Sequence, residues 1–261
     1  MSQISNSNIS IASWVYDDAL HHILQYLVLH EFATVSRVSH RWRASTRKTQ
    51  PRSVTLILFT PHALEMNIKN PMYRHVTELR TVLNATDAYI SIVADIIKSF
   101  PRLSTLDMSG GIIGQKQADL VAGAIQQSKN LTSINLSNGD IGYYFNSSIP
   151  KSILYCSTLT SVDLCGNRLQ ISDLEILAQD MRQSTNLAWM YLSSNRINDQ
   201  GAMIIADALR INKSLIQIDL SDNRIKDTGV AALKTLVEFN MICNPTHSGW
   251  MTSSTLRLTR I

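Results

Sequence analysis

The sequence predicts an α/β solenoid, a stack of strand–helix units 28 residues long, preceded by a small all-α module. Three observations carry that reading. A hexapeptide with apolar first, fourth and sixth places starts at residues 103, 131, 159, 187 and 215, so successive steps are each 28 residues, and a sixth copy, with Thr81 at its last place, starts at Val76. Within a unit, the apolar spacing switches from that of a strand to that of a helix. Upstream, residues 14–48 show helical spacing only.

Composition sets the outer bounds. With 44% hydrophobic residues, Gly 10 and Pro 6, the chain is neither collagen-like nor low in complexity nor wholly disordered. Lys+Arg 24 against Asp+Glu 20 leaves +4, too small a bias to argue for nucleic acid as a partner. Three cysteines, Cys156, Cys165 and Cys243, include no CxxC pair, which fits a reduced intracellular setting, cytoplasmic or nuclear. No window approaches the ~18 apolar residues of a membrane span, so no membrane partner is expected. Residues 1–13 are Ser/Asn/Ile-rich and uncharged after the start, and read as a flexible N-terminus without a secretory signal.

Residues 14–48 follow. Leu20, Ile23, Leu24 and Leu27 fall at helical spacing, with Asp17 and Asp18 where a helix start favours negative charge. A second stripe is Phe32, Val35, Val38 and Trp42. Some ~35 residues bury little apolar surface alone, so several of these side chains need a partner protein or the repeats. The segment resembles an F-box. Ile23 and Leu27 match that family's first helix, Glu31-Phe32 its acidic-apolar start, and the run Val35-Ser36-Arg37-Val38-Ser39-His40-Arg41-Trp42 its last helix. Two places depart: Val15-Tyr16 stands where Leu-Pro is usual, and Ser39 replaces a common Cys. The resemblance implies docking on a Skp-type adaptor of a cullin-RING (SCF-type) ubiquitin ligase. Val15, Ile23, Leu27, Phe32, Val35, Val38 and Trp42 would then carry docking or the small core behind it. The competing reading makes the same helices a cap over the open end of the solenoid. Arg37, Arg41, Arg43, Arg47, Lys48 and Arg52 read as a solvated face rather than a nucleic-acid site.

Residues 49–75 read as a linker with a first capping strand in Val54–Leu58. Six repeats then occupy residues 76–242. Their apolar places point inward from a short strand and the places between point outward. Eight residues after each start stand Asn84, Gly111, Gly139, Asn167, Asn195 and Asn223, where an asparagine can bond the backbone of the turn. The two glycines predict turns held differently. Ile197, Gly201, Ile205 and Leu209, then Ile225, Gly229, Leu233 and Val237, mark helical stripes. The register and these residues resemble the leucine-rich repeat, of the longer strand-plus-helix type typified by ribonuclease inhibitor. The register stops after Val237, so residues 243–261 form a non-repeat end in which Leu256–Leu258 is a candidate closing strand.

The stacked strands are expected to line a concave face. Outward places four residues after each start read Arg80, Asp107, Asn135, Asp163, Tyr191 and Asp219; two after, they include Trp189. Trp189 and Tyr191 stand out as large aromatics, with Asp163 and Asp219 in adjacent strands. They form a candidate target-binding anchor for a side chain bearing Lys or Arg; the alternative is mutual packing or cover by the C-terminal end. The sequence holds no HExxH, Gly-rich phosphate loop, GxSxG or paired metal-ligand spacing, so neither catalysis, metal nor cofactor is expected. The expected function is a substrate-recruiting adaptor of an SCF-type ligase, the F-box on a Skp-type adaptor and the repeats on a target protein. The alternative is a ligase-independent leucine-rich-repeat scaffold or inhibitor.

Overall fold

The computed structural model describes residues 55–58, 76–81, 87–111, 115–140, 156–244 and 255–261. The helical module expected at 14–48, with Val15, Ile23, Leu27, Phe32, Val35, Val38 and Trp42, lies outside the described residues. Strand β1 (Thr55–Leu58) and β2 (Glu78–Thr81) precede helix α1 (Asp87–Ser99). Then come β3 (Thr105–Asp107), α2 (Gln115–Gln127), β4 (Ser133–Asn135) and β5 (Ser161–Asp163). Helix α3 (Ile171–Gln183), β6 (Trp189–Tyr191), α4 (Asp199–Ile211), β7 (Gln217–Asp219) and α5 (Asp227–Lys234) complete the repeats. A hairpin, β8 (Phe239–Asn244) and β9 (Thr255–Arg260), follows.

A single sheet runs in the order β1-β2-β3-β4-β5-β6-β7-β9-β8. The first seven strands pair in parallel and in constant register: Glu78 with Thr105, Thr105 with Ser133, Ser133 with Ser161, Ser161 with Trp189, Trp189 with Gln217. Each strand has only three or four residues, yet the stack holds because its inward triads are fully buried. Leu103, Leu106 and Met108, and the corresponding residues through Leu215, Ile218 and Leu220, join one continuous apolar core with the helices. Helix α1 packs on α2, α3 on α4 and α4 on α5, so these helices cover one another's flanks. β1 extends the sheet through Thr55–Glu78 pairing, where a capping strand was expected.

The asparagine places form a ladder. The Asn195 side-chain oxygen accepts from the N–H groups of Asn167 (2.9 Å) and Leu169 (3.3 Å), and its amide donates to the carbonyls of Leu164 (2.7 Å), Leu192 and Ser193. Asn223 repeats the pattern one unit on, accepting from Asn195 N–H (3.0 Å) and Ile197 N–H (2.9 Å). All three ladder residues Asn167, Asn195 and Asn223 are buried, so these bonds replace lost water rather than compete with it. Gly139 donates its N–H to Asn167 Oδ1 (2.9 Å) but has no side chain to reach back. The Met108 carbonyl, which such a side chain would have met, accepts instead from Gly111 N–H at 3.3 Å. The glycine turns thus lack the amide that reaches back to the preceding unit, and the Gly139 turn is held from the following unit by Asn167.

Helix starts are capped across units as well as within them. Asn198 accepts from Gly201 N–H (3.1 Å) at the start of α4. Asp199, in the first turn of α4, reaches the next unit and accepts from Lys226 N–H (2.6 Å) and Gly229 N–H (3.0 Å) at the start of α5. Gly229 is small for that reason: a Cβ there would lie 2.7 Å from Asp199 Oδ1 and 2.7 Å from Ile225 Cγ2. In α3 the Gln170 N–H donates to the buried Asp173 (2.6 Å), and burial pushes that carboxyl above its ordinary range.

The end of the stack departs from the repeat pattern. Helix α5 stops at Lys234, a turn earlier than the stripe through Val237 predicts, and Val237 is 85% exposed. Thr235 N–H bonds back to Ala232, and the chain swings into β8. The boundary expected between 242 and 243 therefore falls inside β8. Leu256 and Leu258 lie in β9, which inserts antiparallel against β7 and fills the place a seventh repeat strand would take. β8 pairs outside β9.

Candidate functional site

β6 places Trp189 and Tyr191 on the strand face, since Met190 between them is fully buried. The register sets their neighbours: Ser161 and Gln217 flank Trp189, while Asp163 and Asp219 flank Tyr191. The indole is 38% exposed, whereas Tyr191 is partly buried. The structure thus brings Trp189, Tyr191 and Asp163 together on one face.

Asp219 is placed otherwise than expected. It is 5% exposed, and both oxygens are engaged within the fold. Oδ1 accepts from Ser221 N–H (2.9 Å) and its hydroxyl (2.5 Å), while Oδ2 takes Arg257 Nε at 2.8 Å. The cation that Asp219 was expected to receive from a ligand is supplied by Arg257 of the chain's own β9. Arg257 itself remains half-exposed and adds a positive group at the edge of the aromatic pair. Its role was illegible in the repeat register because antiparallel pairing joins it to a residue 38 positions away.

The acidic column has a local purpose. Asp107 accepts from Ser109 N–H (3.0 Å), Asn135 from Ser137 N–H (2.9 Å), Asp163 from Cys165 N–H (2.9 Å) and Asp219 from Ser221 N–H (2.9 Å). Each is an Asx turn that holds the chain as it leaves the strand. From β3 to β7, Tyr191 alone breaks this series, putting a phenol where its neighbours use a turn-holding oxygen. A residue chosen against local structure marks a functional site more strongly than an exposed aromatic alone.

Cys165 lies next to this face, partly buried. Burial, reinforced by Asp163, pushes its thiol up to about 11, and Ser193 Oγ donates to its sulfur at 2.9 Å. A thiol so held stays protonated at neutral pH and is a poor nucleophile. At the far end of the face Arg80 pairs with Glu78 at 2.7 Å and approaches Asp107 at 3.9 Å. Among the described residues no three of His, Cys, Asp and Glu gather as metal ligands, and no helix is long and apolar enough to cross a membrane.

Family comparison finds one match in each part of the chain. The F-box domain family matches residues 16–52 and the Leucine Rich repeat family matches residues 212–234. The first match takes in Ile23, Leu27, Phe32, Val35, Val38 and Trp42 and begins one residue after Val15; the second covers β7 and α5. None of the curated proteins matches the chain. Among solved structures, the leiomodin-1 actin-binding site 2 is similar at 18% identity with a TM-score of 0.45, covering 59% of this chain and 90% of that one. An F-box with leucine-rich repeats supports an adaptor in general, a protein that acts by binding. The chain thus carries a match to the F-box domain family in its N-terminal part and one to the Leucine Rich repeat family in its sixth repeat.

Proposed function

We propose that the chain is a substrate-recruiting adaptor of an SCF-type cullin-RING ubiquitin ligase, its F-box docking a Skp-type adaptor and its repeats holding a target protein. The observation that carries this reading is the order of the parts, an F-box match at 16–52 ahead of a leucine-rich-repeat solenoid. Val15, Ile23, Leu27, Phe32, Val35, Val38 and Trp42 are the docking residues or their backing, since apolar and aromatic anchors dominate interfaces of this kind. The target side is the strand face at Trp189 and Tyr191. Asp163 faces Tyr191 there, and Asp219 fixes Arg257 at the border. Setting Trp189 and Tyr191 beside a carboxylate favours a target side chain bearing Lys or Arg.

Co-purification tests the ligase half. The intact chain should retain a Skp-type adaptor, and Trp42→Ala or Val35→Asp should release it. Failure of the intact chain to bind any such adaptor would leave the ligase-independent scaffold standing. The face is tested by Trp189→Ala with Tyr191→Ala, which should fold normally and lose target capture; unchanged capture sinks that assignment.

A further inference from the structure

The loops leaving β4 to β7 present a second row of side chains, nine residues after the start of each unit: Asp140, Arg168, Arg196 and Arg224. Three successive repeats carry arginine there, and all three are exposed. Arg168 and Arg196 hold left-handed backbone, with φ of 54° and 61°. That conformation is cheap for Gly and tolerable for Asn or Asp, and costly for arginine. The other left-handed place of the same loop, two residues earlier, is filled by Gly110, Asn138, Gly166, Ser194 and Asp222, mostly residues that enter it easily. The arginines are therefore held in the row against local preference.

Arg168 and Arg196 flank an open cleft of about 460 Å³ whose wall includes Gln170, Ser172 and Asn198. Arg168 has a partner, Asp140 at 3.2 Å, in an exposed pair of the kind that contributes little. Among the described residues, the Arg196 and Arg224 guanidinium groups have no hydrogen-bond or ion-pair partner. Repeats whose strands pair at roughly 4.8 Å hold such a row of cations close together, so they repel one another until an anion settles among them. Guanidinium forks present parallel N–H pairs that match carboxylates.

We propose that the Arg168–Arg196–Arg224 ridge docks an acidic, carboxylate-rich segment of a partner protein, on a face separate from Trp189 and Tyr191. A protein segment is favoured over nucleic acid because Asp140 and Asp222 stand in the same loops, Asp227 opens α5 beside them, and the whole chain carries only +4. A continuous phosphate backbone would meet those carboxylates, whereas a short acidic run can sit between them. The ridge acts whether or not the F-box docks an adaptor.

Fluorescence anisotropy of a labelled glutamate-rich peptide on the full chain tests this, with the matching glutamine-rich peptide as reference. Arg196→Gly removes the charge and also relieves the left-handed backbone. It should keep or raise the melting temperature while weakening peptide binding roughly tenfold, the loss expected for one charge-assisted fork. Arg196→Glu with Arg224→Glu should abolish binding, and added salt should weaken it in the wild type. Arg182→Glu at the end of α3 and the Trp189→Ala/Tyr191→Ala pair should leave it intact, which separates this ridge from the strand face. Absent binding by the wild type, equal binding of the glutamine peptide, or an equal loss in Arg182→Glu would each overturn the proposal. So would a single-stranded oligonucleotide binding more tightly through the same arginines.

Discussion

Asn195 shows how much one side chain carries in a stack of short strands. It accepts two N–H groups and donates to three carbonyls in two different units, all but the bond to Ser193 fully buried. Asn195→Ala orphans buried donors and acceptors together and should cost about 3 kcal/mol in urea unfolding; a change under ~1 kcal/mol would mean the ladder is dispensable. Its presence was readable from the 28-residue spacing, because a polar residue recurring after a strand has few other uses. The Asx turns at Asp107, Asp163 and Asp219 were not readable in that way, since an outward aspartate looks the same whether it faces a ligand or its own backbone. Cys165 gives the pH prediction at this scale. With its thiol held at about 11, iodoacetamide labelling followed by peptide mass should stay slow at neutral pH and accelerate toward pH 11. Stability follows the same sign: above the ordinary thiol value of ~8.5 the unfolded chain loses its proton first, so this group weakens folding as pH rises toward about 11. Fast labelling near pH 7 would contradict the geometry.

Between elements, the unit of cohesion is the contact that leaves one repeat for the next. Helix α5 is only eight residues long and its N-cap, Lys226, makes no side-chain cap. Its first turn is held by Asp199 from α4. Asp199→Ala should therefore destabilise by about 1–2 kcal/mol, the worth of a lost cap. Asp199→Asn, which keeps an acceptor oxygen, should cost less. Amide exchange locates the effect: the α5 amides should speed up while those of α1 do not, and uniform behaviour would refute the cross-repeat cap. The helical stripe through Gly229 was legible by its interval of four, but its last member was not. Val237 continues the periodicity in sequence while the chain has already turned, because nothing local distinguishes a last helical turn from the first residues beyond it.

At the level of the molecule, one parallel sheet runs from β1 to β7, its apolar core is continuous from β2 to β7, and both are closed by a hairpin of opposite sense. Arg260 pins that closure. It donates to the carbonyls of Leu215 (2.9 Å) and Asn212 (2.8 Å), lies 4.5 Å over the Phe239 ring and pairs with Glu238. Ending the chain at residue 254 removes β9 from between β7 and β8, so both hairpin strands should be lost together. The truncated protein should melt at lower temperature and self-associate in light scattering; a monomer of unchanged melting temperature would rule this out. The stack itself was legible because every unit repeats one pattern. The closure was not, because three alternating residues at Leu256–Leu258 state neither direction nor partner, and the pairing with Gln217–Asp219 spans a long stretch of chain. That crossing has a consequence for how the protein is made. Synthesis delivers β8 before β9, yet β8 has no place in the sheet until β9 lies against β7. The nascent chain therefore passes through an interval in which a finished stack ends in an open hydrogen-bonding edge. A chaperone or a second copy would meet it during that wait.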